Sequence, residues 1–315
     1  FNINSGGGAV SGGDLIFTAS TGQPITQKIT VQEHAKGALA GYMLHFGTGR
    51  FFRTTDNNSA GQTTQSVYGV WDCQNSSECT SLTPTDLLVQ DILAEVGHST
   101  TSAELRVSSK NAITWLDDPG VQVGDSGWEG HISDHGWVLN LVNPGHAGDA
   151  TVSPPIPALP SGNYGERINS PLVIFGKSVV FATLLPSDDP CEGGGSGWLM
   201  SLNSETGARF EESPFDVDGD GSFSASDFAD WIDSSGNALS TASSGVKSKN
   251  GIPSTPVVIG MPNGVGGAYS NTSLGKIKRR CNVGDVACKK GSTDTSPTGL
   301  NSGSDAGRQS WIQLD

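Results

Sequence analysis

The sequence has little positive charge and no long uninterrupted run of apolar residues. Lysine and arginine number 18 against 32 aspartates and glutamates, giving a formal net charge of −14. Nucleic-acid binding needs a positive field, so this balance argues against a nucleic-acid partner. The most apolar stretch, SPLVIFGKSVVFATLLP from Ser170, is interrupted by Gly176, Lys177 and Ser178. Neither half reaches the length of a membrane span, so we expect no membrane-spanning segment.

Helical periodicity is scarce, while glycine is abundant. The 315 residues include 43 glycines, and only 16% are charged. This composition is typical of a loop-rich β protein, and β architectures of this length can form one domain. The sequence begins at Phe1 without a charged-then-apolar leader, so we expect a signal peptide or a longer upstream region to have been removed. The acidic character fits an exported surface protein.

Cysteine is also sparse, with five residues in the chain. Two short spacings, CQNSSEC and CNVGDVAC, fit no zinc pattern and predict local disulfides between Cys73 and Cys79 and between Cys281 and Cys288. Such bonds are typical of an oxidising compartment. Cys191 is left over, so we expect either a partner in the upstream region or a free, buried thiol.

Two kinds of short strand recur along the chain. Aromatic strands are predicted at four places: YGVWD at 68–72, GWVLNL at 136–141, GWLMSL at 197–202 and SWIQLD at 310–315. Apolar strands that start near proline are predicted at three: PITQKITV from Pro24, SPLVIFG from Ser170 and TPVVIG from Thr255. Short strands punctuated by Gly, Ser and Pro indicate a β protein. The best helical candidates are 85–96, which has an apolar face, and a short turn at 226–232.

One repeated unit suggests the architecture. SPLVIFGKSVVFATLLP predicts a hairpin that turns at Gly176 and Lys177, and GWLMSLNSETG adds a strand and a tight turn. One such unit cannot bury both of its faces, so radial stacking of four-stranded blades is the natural solution. We predict an all-β fold, a partial or irregular β-propeller of about four blades' worth of short antiparallel strands, as a single domain over 1–315. Long insertions are expected near 73–84, 117–134, 204–250 and 261–308.

The segment 216–227, DVDGDGSFSASD, has the spacing of an EF-hand-like calcium loop. Carboxylates stand at loop positions 1, 3, 5 and 12, and Gly221 at position 6 permits the sharp turn. The predicted metal ligands are Asp216, Asp218, Asp220, the carbonyl of Ser222, Ser224 and Asp227. Because Asp227 is shorter than the usual glutamate, we expect weak binding. The alternative is an acidic turn in which Ser224 or Ser226 caps a short FADWI helix.

Four other polar motifs could be functional sites, but turns, loops or a solvated surface explain them as well or better. GDSG at 124–127 is similar to the nucleophile motif of trypsin-like proteases, but Trp128 replaces the second glycine and the rest of a triad is not recognisable. Four residues could form a metal cluster, although loop residues need not share a face: His131, Asp134, His135 and His146. Aspartate pairs before Pro119 and Pro190 favour turns over acid/base chemistry. Six basic residues between 276 and 290 could contact an acidic surface or form a solvated face.

Several stretches of the chain carry a family resemblance. They are, in order, HFGTGRFF at 45–52, QSVYGVWD at 65–72, GERINSPLVIFGKSVVFATLLPSDDPCEGGGSGWLMSLNSETG at 165–207, DVDGDGSFSASD at 216–227 and GRQSWIQL at 307–314. In this order they resemble the C-terminal β-propeller domain of PilY-type proteins, the tip-associated biogenesis factors and adhesins of bacterial type IV pili. The resemblance covers most of the chain apart from the insertions. It implies the last part of a propeller domain that begins upstream of Phe1.

The resemblance implies a function and a set of partners. The expected protein is a non-enzymatic, calcium-binding surface protein that is exported to the pilus tip and acts in pilus biogenesis, adhesion and twitching motility. Ca²⁺ would control pilus extension and retraction through Asp216, Asp218, Asp220, Ser224 and Asp227. Ser224 departs from the carboxylate that is common at its position. The implied partners are minor pilins, the upstream part of the protein or another copy, and a host or abiotic surface.

Two other functions compete with this interpretation. A quinone-dependent propeller dehydrogenase also combines Trp-rich repeats with Ca²⁺, but its carboxylates are scattered around a channel and here they lie in one continuous loop. A purely structural surface or filament protein could use Ca²⁺ only to order that loop. A propeller fragment leaves unpaired strand edges, so we expect upstream residues or another chain to complete the ring.

Overall fold

In the computed structural model, the residues described are 15–34, 41–57, 62–74, 79–115, 134–145, 160–187, 195–248, 251–260, 265–269 and 300–301. Strands dominate this part of the chain, so the predicted all-β class is confirmed. The helical segments within it are three short 3-10 helices, at Thr54–Asn57, Pro84–Asp86 and Ala225–Asp227. None of the helices in these ranges is long and apolar enough to cross a membrane.

The described ranges contain 18 strands. In chain order they are β1 (Thr30–Glu33), β2 (Tyr42–Gly47), β3 (Ser66–Asp72), β4 (Leu88–Gln90), β5 (Ile92–Gly97), β6 (Glu104–Ser108), β7 (Gly136–Asn140), β8 (Val173–Phe175), β9 (Ser178–Ala182), β10 (Leu185–Pro186), β11 (Gly195–Ser196), β12 (Trp198–Asn203), β13 (Ala229–Ile232), β14 (Ala238–Thr241), β15 (Gly245–Lys247), β16 (Val257–Gly260), β17 (Val265–Tyr269) and β18 (Leu300–Asn301).

Two large sheets form the centre of the fold. The first has the strand order β1-β2-β3-β7-β4 and is antiparallel except where β4 runs parallel to β7. The second has the order β5-β6-β15-β12-β9-β8. Three small sheets are formed by β10 with β11, by β13 with β14, and by β16, β17 and β18 with β17 in the middle. Both central sheets, with five and six strands, are larger than the four-stranded blades predicted. In the second sheet, β15 lies between β6 and β12 and so joins the pair β5-β6 to β12, β9 and β8.

The predicted hairpin and following strand are confirmed within the second sheet. Phe175 of β8 pairs with Ser178 of β9, which leaves Gly176 and Lys177 as the two-residue turn. Gly176 has a φ of +59°, a conformation that glycine adopts without steric cost. Strand β12, from the GWLMSL stretch, pairs antiparallel with β9.

The helix predicted over 85–96 is wrong. The segment starts with a 3-10 turn and continues as β4 and β5. Along β4, Leu88 and Gln90 are buried while Val89 between them is exposed, which is the period of two that a strand gives. The side chain of Gln90 donates hydrogen bonds to the carbonyl oxygens of Asn111 (3.0 Å) and Thr206 (2.9 Å). Because the buried residue Gln90 is polar, the apolar residues of this segment do not alternate as they would in an ordinary strand, and their spacing looks like one face of a helix.

The short turn at 226–232, the other helical candidate, is helical only at its start. A 3-10 turn at Ala225–Asp227 leads directly into strand β13. Ala229 and Trp231 are buried and the residues between them are exposed, so the segment packs one face of a strand.

The tryptophans of the aromatic strands form the main core. Trp71, Trp137 and Trp198 are each at most 1% exposed and belong to one cluster that joins the two central sheets. The second sheet is covered on both faces: Val179 of β9 packs in this cluster, while its neighbour Val180 packs in a second cluster on the opposite face. Burial of both faces is what the predicted stacking of blades requires. The strand predicted at 310–315 lies outside the described residues.

Close approach of two glycines fixes the position of Trp137. A Cβ atom at Gly69 would lie 2.3 Å from the indole Nε1, and one at Gly207 would lie 2.4 Å from Cδ2. The Nε1 group donates a hydrogen bond of 2.9 Å to the carbonyl oxygen of Ser204. Only glycine allows β3 and the turn after β12 to approach the ring this closely.

A buried ion cluster lies against the ring of Trp198. The guanidinium of Arg106 in β6 is fully buried and donates to both carboxylate oxygens of Glu166 at 2.7 Å and twice to Oε1 of Glu95, at 2.6 and 3.0 Å. Its carbon Cζ lies 4.2 Å from the centroid of Trp198. Burial disfavours the charged form, but Glu166 and Glu95 hold the pKa of Arg106 above its ordinary value. Asn143 donates to the other oxygen of Glu95 at 2.7 Å.

Cys73 and Cys79 form a disulfide with a Cα–Cα distance of 5.8 Å, as their spacing predicts. Several other predictions fall outside the described residues: the second disulfide, Cys191, the GDSG stretch, His131, His146, both aspartate pairs and the basic group. Of the four residues that could form a metal cluster, Asp134 and His135 lie among the described residues. The Asp134 carboxylate accepts a hydrogen bond of 2.9 Å from the backbone N–H of Thr114.

Acid sensitivity is expected from His45 in β2. This residue is fully buried, neither ring nitrogen has a hydrogen-bond partner among the described residues, and burial lowers its pKa from 6.5 to about 3. In the unfolded chain His45 therefore binds a proton below pH 6.5, whereas in the folded chain it binds one only below about pH 3. The folded state is fully favoured above pH 6.5 and loses about 1.4 kcal/mol per pH unit below it.

The substitution His45→Phe tests this account by urea unfolding at pH 7 and pH 4.5. The parent chain should lose about 2–3 kcal/mol more between the two conditions than the variant, which has no group to protonate there. Equal losses in parent and variant would contradict the assignment of the acid sensitivity to His45.

Candidate metal site

The loop 216–227 is anchored by apolar residues at both ends. Phe215 and Val217 on one side, and Ala229 and Trp231 of β13 on the other, belong to the cluster that covers the outer face of the second sheet. The same cluster includes Val107 of β6. The loop is therefore attached to the sheet by its flanks while its turn faces solvent.

A histidine from a distant connection supports the loop. Nε2 of His98, which follows β5, lies 2.7 Å from the carbonyl oxygen of Ser226. The backbone N–H of Thr101 donates to Nδ1 of the same ring at 3.2 Å. Because Nδ1 accepts, Nε2 carries the proton and donates to Ser226. No local pattern in the sequence predicts this contact, because it joins residues 128 positions apart.

Three carboxylates converge in the loop. Asp216, Asp218 and Asp227 each offer an oxygen, and these atoms all lie within 4.8 Å of one another. Asp216 is 4% exposed and Asp227 is fully buried, while Asp218 is half-buried. Three negative charges at this distance repel one another strongly unless a cation lies between them.

Backbone amides orient the first carboxylate. Asp216 Oδ1 accepts from the N–H of Gly219 at 2.8 Å, and Oδ2 accepts from that of Gly221 at 3.1 Å. The two glycines have φ values of +79° and +88°, in the region that favours glycine. The glycine at loop position 6 thus turns the chain and supplies an amide to the carboxylate at position 1.

The last carboxylate closes the loop. Asp227 Oδ1 accepts from the backbone N–H groups of Val217 (2.6 Å) and Asp218 (3.2 Å), and Oδ2 accepts from that of Ser224 (3.0 Å). A single buried side chain therefore joins the end of the loop to its beginning.

The electrostatics of the site favour a bound cation. Burial raises the pKa of Asp216, and the negative charges of Asp227 and Asp218 raise it further. Hydrogen bonds from Gly219 and Gly221 act in the opposite direction. A divalent cation would stabilise the ionised carboxylates and replace the water lost on burial.

The other predicted ligands lie outside this carboxylate group. Asp220 is exposed, and its Oδ1 accepts from the backbone N–H of Ser222 at 2.6 Å. Ser224 is the N-cap of the 3-10 helix Ala225–Asp227 and its Oγ accepts from the N–H of Ser226 at 3.3 Å. Capping and carboxylate convergence therefore occur together in this loop. The roles of Asp220, Ser222 and Ser224 as metal ligands stay predictions.

The donor set fits a hard cation. The convergent atoms are carboxylate oxygens, which suit Ca²⁺ or Mg²⁺ rather than a metal that needs nitrogen or sulfur ligands.

Comparison with known proteins places these features in context. No protein-family model matches the chain. It is 29% identical over 205 residues to the type IV pilus biogenesis factor PilY1 of Pseudomonas aeruginosa strain UCBPP-PA14. The matched region covers 63% of this chain and 16% of that protein. It is 30% identical over 186 residues to a PilY1 homolog of Xylella fastidiosa strain Temecula1, covering 59% and 10%. The chain thus spans less than a fifth of the length of these curated relatives.

Among solved structures, the chain is similar to the crystal structure of the Pseudomonas aeruginosa PilY1 C-terminal domain. The TM-score is 0.58 at 22% sequence identity, over 79% of this chain and 43% of that chain. That domain is a β-propeller, so the predicted propeller fold is confirmed. The resemblance to PilY-type proteins, first seen in the sequence, is confirmed as well.

Proposed function

We propose that this chain, a homologue of the PilY1 type IV pilus biogenesis factors, is a non-enzymatic, calcium-binding part of a surface protein that acts in type IV pilus biogenesis. The observation that carries the proposal is the convergence of Asp216, Asp218 and Asp227 in a chain with these relatives. The relatives are named as biogenesis factors and not as enzymes, which supports a binding role.

The proposed location is the cell surface, at the pilus tip. Minor pilin subunits are the proposed partners, together with the upstream part of the protein or another copy, and a host or abiotic surface is the proposed target of adhesion. An extracellular location suits the disulfide between Cys73 and Cys79, which persists in an oxidising environment. Calcium-dependent control of pilus extension and retraction, and so of twitching motility, belongs to the same proposal.

The proposed mechanism is an ordering of the loop by the ion. Without a cation, repulsion among the three carboxylates favours open conformations of 216–227. With Ca²⁺ bound, the solvent-facing turn is held in one conformation, which a partner could recognise. Extracellular EF-type sites bind Ca²⁺ at about 10⁻⁴ to 10⁻³ M, and the shorter Asp227 favours this weak range. Such an affinity would make the site responsive to extracellular calcium.

The double substitution Asp218→Ala with Asp220→Ala tests the proposal. It should abolish Ca²⁺ binding to the purified chain in calorimetry and leave the fold intact, because both side chains lie outside the apolar clusters. In a strain that carries the double variant, surface pilus number or twitching should change while secretion of the protein does not.

Asp230→Ala is the matched control, because Asp230 is an exposed aspartate of β13 outside the carboxylate group. It should bind Ca²⁺ and support motility as the parent does. The proposal is wrong if the double variant binds Ca²⁺ as tightly as the parent, or if motility is unchanged once binding has been lost.

A further inference from the structure

A polar cavity lies at the end of the first sheet, far along the chain from the calcium loop. It encloses about 480 Å³ between the segment before β1, the residues after β2, the segment before β3 and the segment before β8. Six residues of its wall carry the argument: Gln23, Gly49, Arg50, Thr63, Gln65 and Arg167. This volume is within the usual range for small-ligand sites. Gly49 with Arg50, and Arg167, come from two of the stretches that carry the family resemblance, HFGTGRFF and GERINSP.

The cavity has an exposed mouth and a buried polar floor. Arg50 and Thr63 at the mouth are exposed, whereas Gln23, Gln65 and Arg167 on the floor are each at most 9% exposed. Buried polar atoms of side chains normally have at least one hydrogen-bond partner. Two atoms on this floor have none among the described residues.

The first such atom is a donor. Nε of Arg167 donates to the carbonyl oxygen of Gly165 at 2.8 Å and Nη1 to that of Arg50 at 3.1 Å. The remaining Nη2 has no hydrogen-bond partner in the described part of the chain, although Arg167 is only 3% exposed. Burial lowers the pKa of Arg167, Asp56 raises it and the charge of Arg50 lowers it. Within the described residues, Asp56 acts on this buried guanidinium through its charge, but its salt bridge is with Arg50.

The second such atom is an acceptor. The amide nitrogen of Gln65 donates to the carbonyl oxygens of Gly22 (3.1 Å) and Thr63 (2.9 Å). These two acceptors fix the orientation of the side-chain amide, because a flipped Gln65 would place its oxygen against two carbonyls. Oε1 of Gln65 is left buried without a hydrogen-bond partner among the described residues.

Positive charge gathers around the cavity in a chain whose net charge is −14. Arg50 and Arg167 are the charged residues that line it. Asp56 is next to it but is already engaged, because it accepts from Nε of Arg50 at 3.2 Å and from the backbone N–H groups of Phe52 and Arg53 at 3.0 Å. Within the described residues, Arg50 contacts Asp56 through Nε, which leaves its terminal nitrogens for another partner, and its side chain is half exposed.

We infer that this cavity binds a carboxylate group that carries a neighbouring N–H or O–H donor. The carboxylate is recognised by Arg167 and Arg50, whose guanidinium groups match a planar oxyanion, and the donor pairs with Gln65 Oε1. A peptide C-terminus supplies a carboxylate with its own amide N–H, and a uronic acid of a saccharide supplies one with its hydroxyls. Both sources present the same chemistry to the cavity.

The test is a titration of the purified chain, followed by NMR, with four small probes. N-acetylglycine represents a peptide C-terminus and glucuronate represents an acidic sugar, and N-acetylglycinamide and methyl glucoside are their uncharged counterparts. At least one carboxylate probe should saturate the signals of the cavity residues with a Kd of about 1–10 mM, the range of a fragment-sized ligand. Its uncharged counterpart should bind at least about tenfold more weakly, since it cannot form charge-assisted hydrogen bonds.

Preference for N-acetylglycine assigns the site to a peptide C-terminus, and preference for glucuronate assigns it to an acidic saccharide. Arg50→Gln should weaken the preferred probe by about tenfold, and Lys28→Gln, which removes an exposed positive charge outside the cavity, should not. The inference is overturned if neither carboxylate saturates the cavity signals, if the uncharged probes bind equally well, or if both variants weaken binding to the same extent. The comparison of charged with uncharged probes decides the matter even if Arg50→Gln does not fold.

Discussion

Arg106→Met is expected to lower the free energy of unfolding by about 3–5 kcal/mol, the largest loss we predict for a single substitution. The change removes the cation from between Glu166 and Glu95 and leaves two carboxylates in the interior without their partner. It also removes a cation from the face of Trp198, 4.2 Å away. Urea unfolding of the purified chain measures the loss directly.

Lys247→Met is the matched control, because Lys247 also lies near Trp198, at 5.9 Å, but its ion pair with Glu104 is at the surface. It should cost about 0–1 kcal/mol. Adding Glu166→Gln to Arg106→Met should restore part of the stability, since it removes one of the stranded charges. Equal effects of Arg106→Met and Lys247→Met would show that the buried cluster does not stabilise the fold.

Asp227→Ala is expected to remove calcium binding and to destabilise the loop even in the absence of calcium. Its carboxylate is fully buried and accepts hydrogen bonds from three backbone N–H groups, those of Val217, Asp218 and Ser224. Leaving these groups without an acceptor should cost about 2–3 kcal/mol. Amide hydrogen exchange in calcium-free buffer should show faster exchange at the loop amides, because local opening becomes easier.

Asp220→Ala provides the comparison for that result. Asp220 is exposed, and its Oδ1 accepts a hydrogen bond from the N–H of Ser222 within the same turn. Its removal should leave exchange elsewhere in the loop nearly unchanged in calcium-free buffer. If both substitutions accelerate exchange to the same degree, Asp227 does not join the ends of the loop as described.

Those parts of the fold that depend on neighbouring residues could be predicted from the sequence. The turn at Gly176 and Lys177 and the aromatic strands at 68–72, 136–141 and 197–202 follow from local residue types, and the structure contains them. The helix predicted over 85–96 was wrong because a buried Gln90 broke the alternation of apolar residues. The side-chain amide of Gln90 donates hydrogen bonds to the carbonyl oxygens of Asn111 and Thr206, and Thr206 lies 116 positions away in the sequence. Such long-range partners leave no trace in the local pattern.

The same distinction applies to the candidate site. The carboxylates at loop positions 1, 3 and 12 could be predicted, because a calcium loop is a local motif whose spacing fixes the convergence of its oxygens. The contact from His98 could not, and neither could the ion cluster, in which Arg106 and Glu166 are separated by 60 positions. The cavity could not be predicted either, because its wall is assembled from four segments that are separate in the sequence.

The loop 216–227 and the second sheet are joined through a shared apolar cluster. Phe215 and Val217 before the turn belong to the same apolar cluster as Val107 and Val180 of the sheet, and Nε2 of His98 after β5 contacts the carbonyl oxygen of Ser226, so a change in the loop can reach the sheet through these contacts. Since the turn beyond Val217 is exposed, we expect calcium to order the loop without rearranging the blades.

The central claim is that the loop 216–227 binds Ca²⁺, and an NMR titration of the purified chain with CaCl₂ tests it most directly. The amides of Gly219 and Gly221 donate to Asp216 and should shift, whereas that of Gly236, in a turn outside the site, should not. The account predicts saturation at one site with a Kd of about 10⁻⁴ to 10⁻³ M. Unchanged Gly219 and Gly221 signals throughout this range and up to about tenfold above it, or equal shifts at Gly236, would contradict it.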